Sequence, residues 1–146
     1  MAEVVASVEV DASPEQVWAA VTDWDRHGRW MLFTTVRRLE HSGEGVGGRI
    51  CARTGLGPFG VQDPMTITVW RPPYRCENRH DGMVIRGVGA FDVEPLPEGR
   101  SRFTWSEWLD LPFGRAGEVG FLLVRPFFAA FLSVCLHRLA RWAPTR

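Results

Sequence analysis

The chain contains no lysine. All 17 basic residues among its 146 are arginines, and 17 acids balance them, so the formal net charge is zero. A neutral chain with no block of like charge argues against binding nucleic acid through phosphate neutralisation. Cysteine is also scarce. Cys51, Cys76 and Cys135 are odd in number, far apart and never paired as Cys-x-x-Cys, which indicates neither a disulfide framework nor a zinc spacing. Each follows an apolar or alternating pattern, as a small core residue does. His27, His41, His80 and His137 make no His-x-x-x-His pair, so neither a metal site nor a cofactor is expected. No nucleophile elbow is present. No positively charged segment followed by an apolar one opens the sequence, so a signal peptide is not expected and a reducing, cytoplasmic setting is. Repeats and linkers are missing too. The length fits one domain over residues 1–146 with a core of its own.

Apolar residues, at 45% of the chain, include seven Trp and nine Phe. The longest apolar run is Gly117 to Trp142. Its polar residues Glu118, Arg125, Ser133, His137 and Arg141 make one narrow stripe at helical spacing, with Ala129 filling the gap. The run therefore predicts a long helix that needs cover around most of its circumference. Val119 to Leu136 reaches the lower edge of a membrane span. Arg125 and Pro126 near its middle argue against one, since a central Arg costs about 2.5–3.5 kcal/mol on insertion scales. Pro126 predicts a kink or a fresh helix start.

Ahead of this run the pattern is mostly of period two. Glu3 to Val10 alternates as a strand with one wet face. Ser13-Pro14-Glu15-Gln16 carries a capping box with proline at the first helical position, and Val17, Ala20, Val21 and Trp24 follow at helical spacing. A second short helix runs to about Trp30. Strands are then expected over 35–40, 49–53, 65–70, 74–80, 84–94 and 102–110, with loops at 43–48 and 55–60. The short loops imply antiparallel neighbours, because parallel ones need long crossovers. The glycines at 43, 45, 47 and 48 lie between strands and read as a hairpin rather than a phosphate cradle, which would open a helix. The fold class is α+β: a curved seven-stranded antiparallel sheet, two short helices after the first strand, and a long C-terminal helix across the concave face. A hollow between sheet and helix follows, and such clefts are the usual small-molecule sites.

The opening VEVDASPEQVWAAVTDWDRHGRW and the closing GRAGEVGFLLVRPFFAAFLSVCLHRLARW resemble the START/Bet v1-like (SRPBCC) superfamily, in particular its polyketide cyclase/dehydrase-like branch. The resemblance covers essentially the whole chain and implies the helix-grip fold. It carries no shared catalytic motif. The superfamily includes lipid carriers, hormone receptors, aromatic polyketide cyclases and co-chaperones.

Three functions are weighed. The first is binding of a small hydrophobic ligand, aromatic, polyketide- or lipid-like, between sheet and helix. The second is a polyketide cyclase/dehydratase in which His80 or Glu107 moves protons. The third is a protein-interaction module, or a homodimer, working through the surface of the last helix. Asn78, His80, Trp105 and Glu107 are expected as a polar spot in an apolar chamber, where a carboxylate acquires acid character. Met65, Ile67, Phe91, Phe103, Phe127 and Phe131 are expected to line it. Some of Phe121, Phe128 and Leu132 are expected outside, leaving an apolar patch.

Overall fold

The computed structural model describes residues 2–146. Seven strands form one antiparallel sheet in the order β1-β7-β6-β5-β4-β3-β2. They are β1 (Ala2–Val10), β2 (Thr34–Arg38), β3 (Arg49–Leu56), β4 (Phe59–Arg71), β5 (Arg75–Asp81), β6 (Arg86–Pro95) and β7 (Ser101–Leu109). From β2 to β7 each strand pairs with its sequence neighbour, while β1 closes the far edge against β7. A helix α1 (Pro14–Val21) and a 3-10 helix (Trp24–Arg29) fill the connection between β1 and β2, and α2 (Gly114–Trp142) follows the last strand. This is the seven-stranded helix-grip architecture.

The local causes are visible at α1. The Ser13 hydroxyl accepts the Gln16 amide at 3.2 Å, and the Gln16 carboxamide accepts the Ser13 amide at 2.9 Å, so two orphan donors are satisfied. Val17, Trp18, Ala20 and Val21 are buried on one side. Asp23, just after α1, receives Arg26 at 3.1 Å and Arg146 at 2.8 Å, which ties the end of the chain back to its beginning.

The core is an aromatic knot. Trp30 packs edge-on against Phe91, Phe103 and Trp105 with centroids 5.7–6.1 Å apart, and His27 lies 4.7 Å from Trp30. Such tilted contacts are the favoured aromatic geometry. The last third of α2 supplies the other half of this core through Leu132, Cys135, Leu136 and Leu139.

Two strand boundaries and the helix differ from the sequence reading. The glycine- and proline-rich stretch 55–60 is not a loop. β3 and β4 pair down to Leu56 opposite Phe59, with only Gly57-Pro58 between them. β2 ends at Arg38, and a 3-10 helix (Glu40–Gly43), in which His41 and Ser42 have positive φ, leads into the glycine turn before β3. Gly43 itself (φ +68°) offers its carbonyl to the Trp24 indole at 2.8 Å, and a Cβ there would strike Ile50 at 2.4 Å. Along α2 no restart occurs at Pro126; one helix runs through it. Nor is most of its circumference covered. Its first half exposes Val119, Leu122, Leu123, Val124 and Phe127. By length and composition α2 could cross a membrane. Its C-terminal third, however, is committed to the sheet.

Candidate functional site

The strand register sets rows of residues across the concave face. One row runs Ile67, Asn78, Gly89, Glu107, Val4. The next runs Met65, His80, Gly87, Leu109, Ala2. At β6 both rows contain only glycine. A missing pair of side chains in the middle of an otherwise filled face leaves a hollow, and α2 roofs it.

The hollow is a chamber of about 570 Å³. Phe121, Val124, Phe127, Phe128 and Phe131 of α2 form one wall, and Val61, Ile85, Leu109 and Met31 continue the apolar lining. The polar part is confined to Asp63, His80, Glu107, Thr54 and the Trp105 indole.

These polar groups form one connected array. His80 Nε2 lies 2.8 Å from Glu107 Oε2, and His80 Nδ1 lies 2.9 and 3.0 Å from the two Asp63 oxygens. The Trp105 indole donates to Glu107 Oε1 at 2.9 Å. Burial pushes the His80 imidazole down, but the hydrogen bonds and charges of Asp63 and Glu107 outweigh it and raise its pKa to about 10. His80 is therefore an imidazolium that donates from both nitrogens to flanking carboxylates. Glu107 is thus held by a charged partner and an indole donor.

A smaller space of about 70 Å³ lies beyond this array, lined by Trp24, His27, Met65, Asn78, Gly89 and Phe91, and by Asp63, His80, Trp105 and Glu107 on the shared side.

The structure brings His80, Glu107 and Trp105 to both spaces, Asn78, Met65 and Phe91 to the smaller one, and Phe127 and Phe131 to the larger. It does not bring Ile67 or Phe103 to either; both are fully buried in the packed core. Phe127 stands at the mouth and is 77% exposed, whereas Leu132, expected outside, is wholly buried. Phe121 and Phe128, also expected outside, are partly buried and line the chamber wall. The helical phase was set by the polar stripe, but the sheet covers only the end of the helix, so phase alone could not say which rings it would reach. Asp63 was missed. Extending the inward phase of Met65 and Ile67 back by two residues finds it, had the strand not been ended at residue 65. Among the described residues no cluster of three or more His, Cys, Asp or Glu has the geometry to hold a metal.

Comparison with known structures places this arrangement in a widely used fold. The protein TTHA0849 of Thermus thermophilus superposes with a TM-score of 0.81 at 17% identity, covering 99% of this chain and 98% of that one. KanY, solved by NMR, gives 0.72 at 19% identity over 99% of both chains. The di-domain ARO/CYC protein BexL of the BE-7585A biosynthetic pathway gives 0.73 at 16% identity, covering 95% of this chain and 46% of that one. No curated protein matches by sequence. The family described as polyketide cyclase / dehydrase and lipid transport matches residues 1–143, nearly the full length, and the chain is a member of that family.

Proposed function

We propose that the protein binds a small, largely apolar molecule of aromatic, polyketide- or lipid-like character in the chamber between the sheet and α2. The observation that carries this reading is the chamber itself: about 570 Å³ of space with apolar walls and one polar array on its floor. That volume falls within the roughly 300–1,000 Å³ of small-molecule pockets, where a few placed polar groups fix orientation. Family membership and the likeness to an ARO/CYC protein support the same ligand class. Native mass spectrometry of protein purified from its own host tests it directly, and titration with naphthalene, followed by tryptophan emission, tests the chamber without knowledge of the ligand. A co-purifying small molecule or saturable naphthalene binding supports the reading. An empty protein that naphthalene does not perturb overturns it.

A second reading, cyclisation or dehydration of a poly-β-ketone, draws on the Asp63–His80–Glu107 array. General acid–base chemistry works best when the pKa lies near the operating pH. His80 is held far above that, and releasing its proton would leave two buried carboxylates facing a neutral ring. The array as built favours a fixed charge pattern that orients a ligand over a proton shuttle. Equal turnover of a poly-β-ketone by His80→Ala, Glu107→Gln and the parent protein would remove both residues from any such chemistry.

A further inference from the structure

The polar groups bordering the 70 Å³ space can be accounted for one by one. Both nitrogens of His80, both oxygens of Asp63 and both oxygens of Glu107 are engaged within the array. The Thr54 hydroxyl pairs with Thr34 at 3.0 Å. Two groups are left. The Asn78 amide nitrogen donates only to the Met65 thioether, a weak acceptor, at 3.2 Å, and its oxygen accepts nothing among the described residues. His27, 5% exposed, has no hydrogen bond at either ring nitrogen among the described residues, and its Nδ1 is sealed from solvent. Buried polar groups are nearly always paired, so an unpaired buried imidazole, lining the same small space as a half-buried carboxamide whose oxygen accepts nothing, points to a partner that the protein chain does not supply.

The space limits what that partner can be. At about 70 Å³ it has room for a few waters, or for one oxygen with the carbon that bears it. With Nδ1 sealed, the imidazole offers only Nε2, a donor or an acceptor by tautomer, and Asn78 still offers an acceptor. Burial holds His27 neutral, pushing its pKa down to about 4 against the weaker pull of the Asp23 charge. The carboxyl groups of Asp63 and Glu107 border the same space, which makes it a poor place for an anion. A group that both donates and accepts, and carries no charge, meets all of these conditions.

We propose that this space is a hydroxyl subsite, in which His27 and Asn78 receive a phenolic or enolic O–H at the inner end of a ligand whose apolar body fills the main chamber. The inference rests on the chamber reading above and adds a selectivity to it. Apolar shape alone discriminates weakly, whereas a site with unpaired buried polar groups discriminates strongly against an analogue lacking the hydroxyl.

The matched probes are naphthalene and 2-naphthol, titrated into the parent protein, His27→Phe and Asn78→Leu, with the ring nitrogens of 15N-histidine-labelled parent protein followed by NMR. The expected result is about tenfold tighter binding of 2-naphthol than of naphthalene by the parent protein, as one satisfied hydrogen bond gives. His27→Phe should reduce that preference to about twofold or less while still binding naphthalene, which also shows that the variant folds. 2-Naphthol should shift the His27 ring nitrogens and naphthalene should not, a readout that needs no variant. Equal affinities in the parent protein, an undiminished preference in His27→Phe, or a shift at His80 in place of His27 overturns the subsite and leaves the chamber standing. Failure of both probes to bind removes the subsite together with the chamber reading.

Discussion

His80 on β5 and Glu107 on β7 meet at 2.8 Å across the intervening strand, where β6 carries Gly89 in register with Asn78 and Glu107. A Cβ at Gly89 would lie 2.9 and 3.1 Å from the Glu107 carboxylate oxygens and 3.3 Å from the Asn78 oxygen. The glycine is required by this close approach, because a methyl group would push the carboxylate off its imidazolium partner. Gly89→Ala should therefore leave the fold intact and move the His80 pKa from about 10 back toward its ordinary 6.5. An NMR pH titration of the His80 ring checks this, and an unchanged midpoint would refute the role assigned to Gly89.

The two buried histidines are shifted in opposite directions, and each shapes one limb of the stability curve. His80 has a folded pKa of about 10 against 6.5 unfolded, so its contribution is complete below about pH 6.5 and is lost as pH rises through 10. His27 has a folded pKa of about 4 against 6.5, so the unfolded chain takes up its proton first and stability falls as pH drops from 6.5 to 4. Asp23 adds to the acid limb: burial raises its pKa, but Arg146 and Arg26 outweigh that and lower it, so its contribution also fades in acid. Together the histidines place maximum stability near pH 6.5. Urea unfolding across pH should show His27→Phe flattening the acid limb and His80→Gln the alkaline one, each by on the order of a few kcal/mol. Parallel curves for parent and variants would contradict the assignment.

Truncations along α2 should divide sharply by position. Leu132→Ala and Leu136→Ala, at fully buried sites, should each cost about 2–5 kcal/mol. Leu122→Ala, at a site 61% exposed, should stay within about 0.5 kcal/mol. Comparable losses at all three positions would mean that the first half of the helix is packed as tightly as its end.

Val119, Leu123, Phe127, Ala130 and Val134 recur at steps of four, four, three and four, and all are exposed. That spacing suits a helix–helix seam, and we propose that a second copy of the chain, joined about a twofold axis, covers it. The protein should self-associate with rising concentration in sedimentation velocity runs. A Leu123→Asp/Phe127→Asp double variant should sediment as a monomer at every concentration. A parent protein that is monomeric at high micromolar concentration would exclude this pairing.

Much of the architecture could be read in advance because alternation and helical periodicity are local properties. The capping box at Ser13–Gln16 and the inward phase of Cys76, Asn78 and His80 needed no tertiary information. The boundary at residue 59 did need it. Gly55 and Gly60 face each other inside a hairpin, where pairing with the opposite strand overrides the turn preference of their composition. Asp63 was hidden by the same misplaced boundary. The His27 ring was legible as a residue of a short helix, but not as an unpaired group, since that depends on what the later strands fold around it. Nor could periodicity show how far along α2 the sheet extends, which is why Leu132, expected outside, is buried.

The aromatic knot and the buried end of α2 share one consequence. The helix is clamped at its far end by Leu132, Cys135, Leu136 and Leu139, while Phe121 and Phe128 nearer its start are only partly buried. Mechanically it is a cantilever. If the chamber takes a ligand as proposed, the uncovered half of α2 is the wall whose displacement would cost the least buried surface.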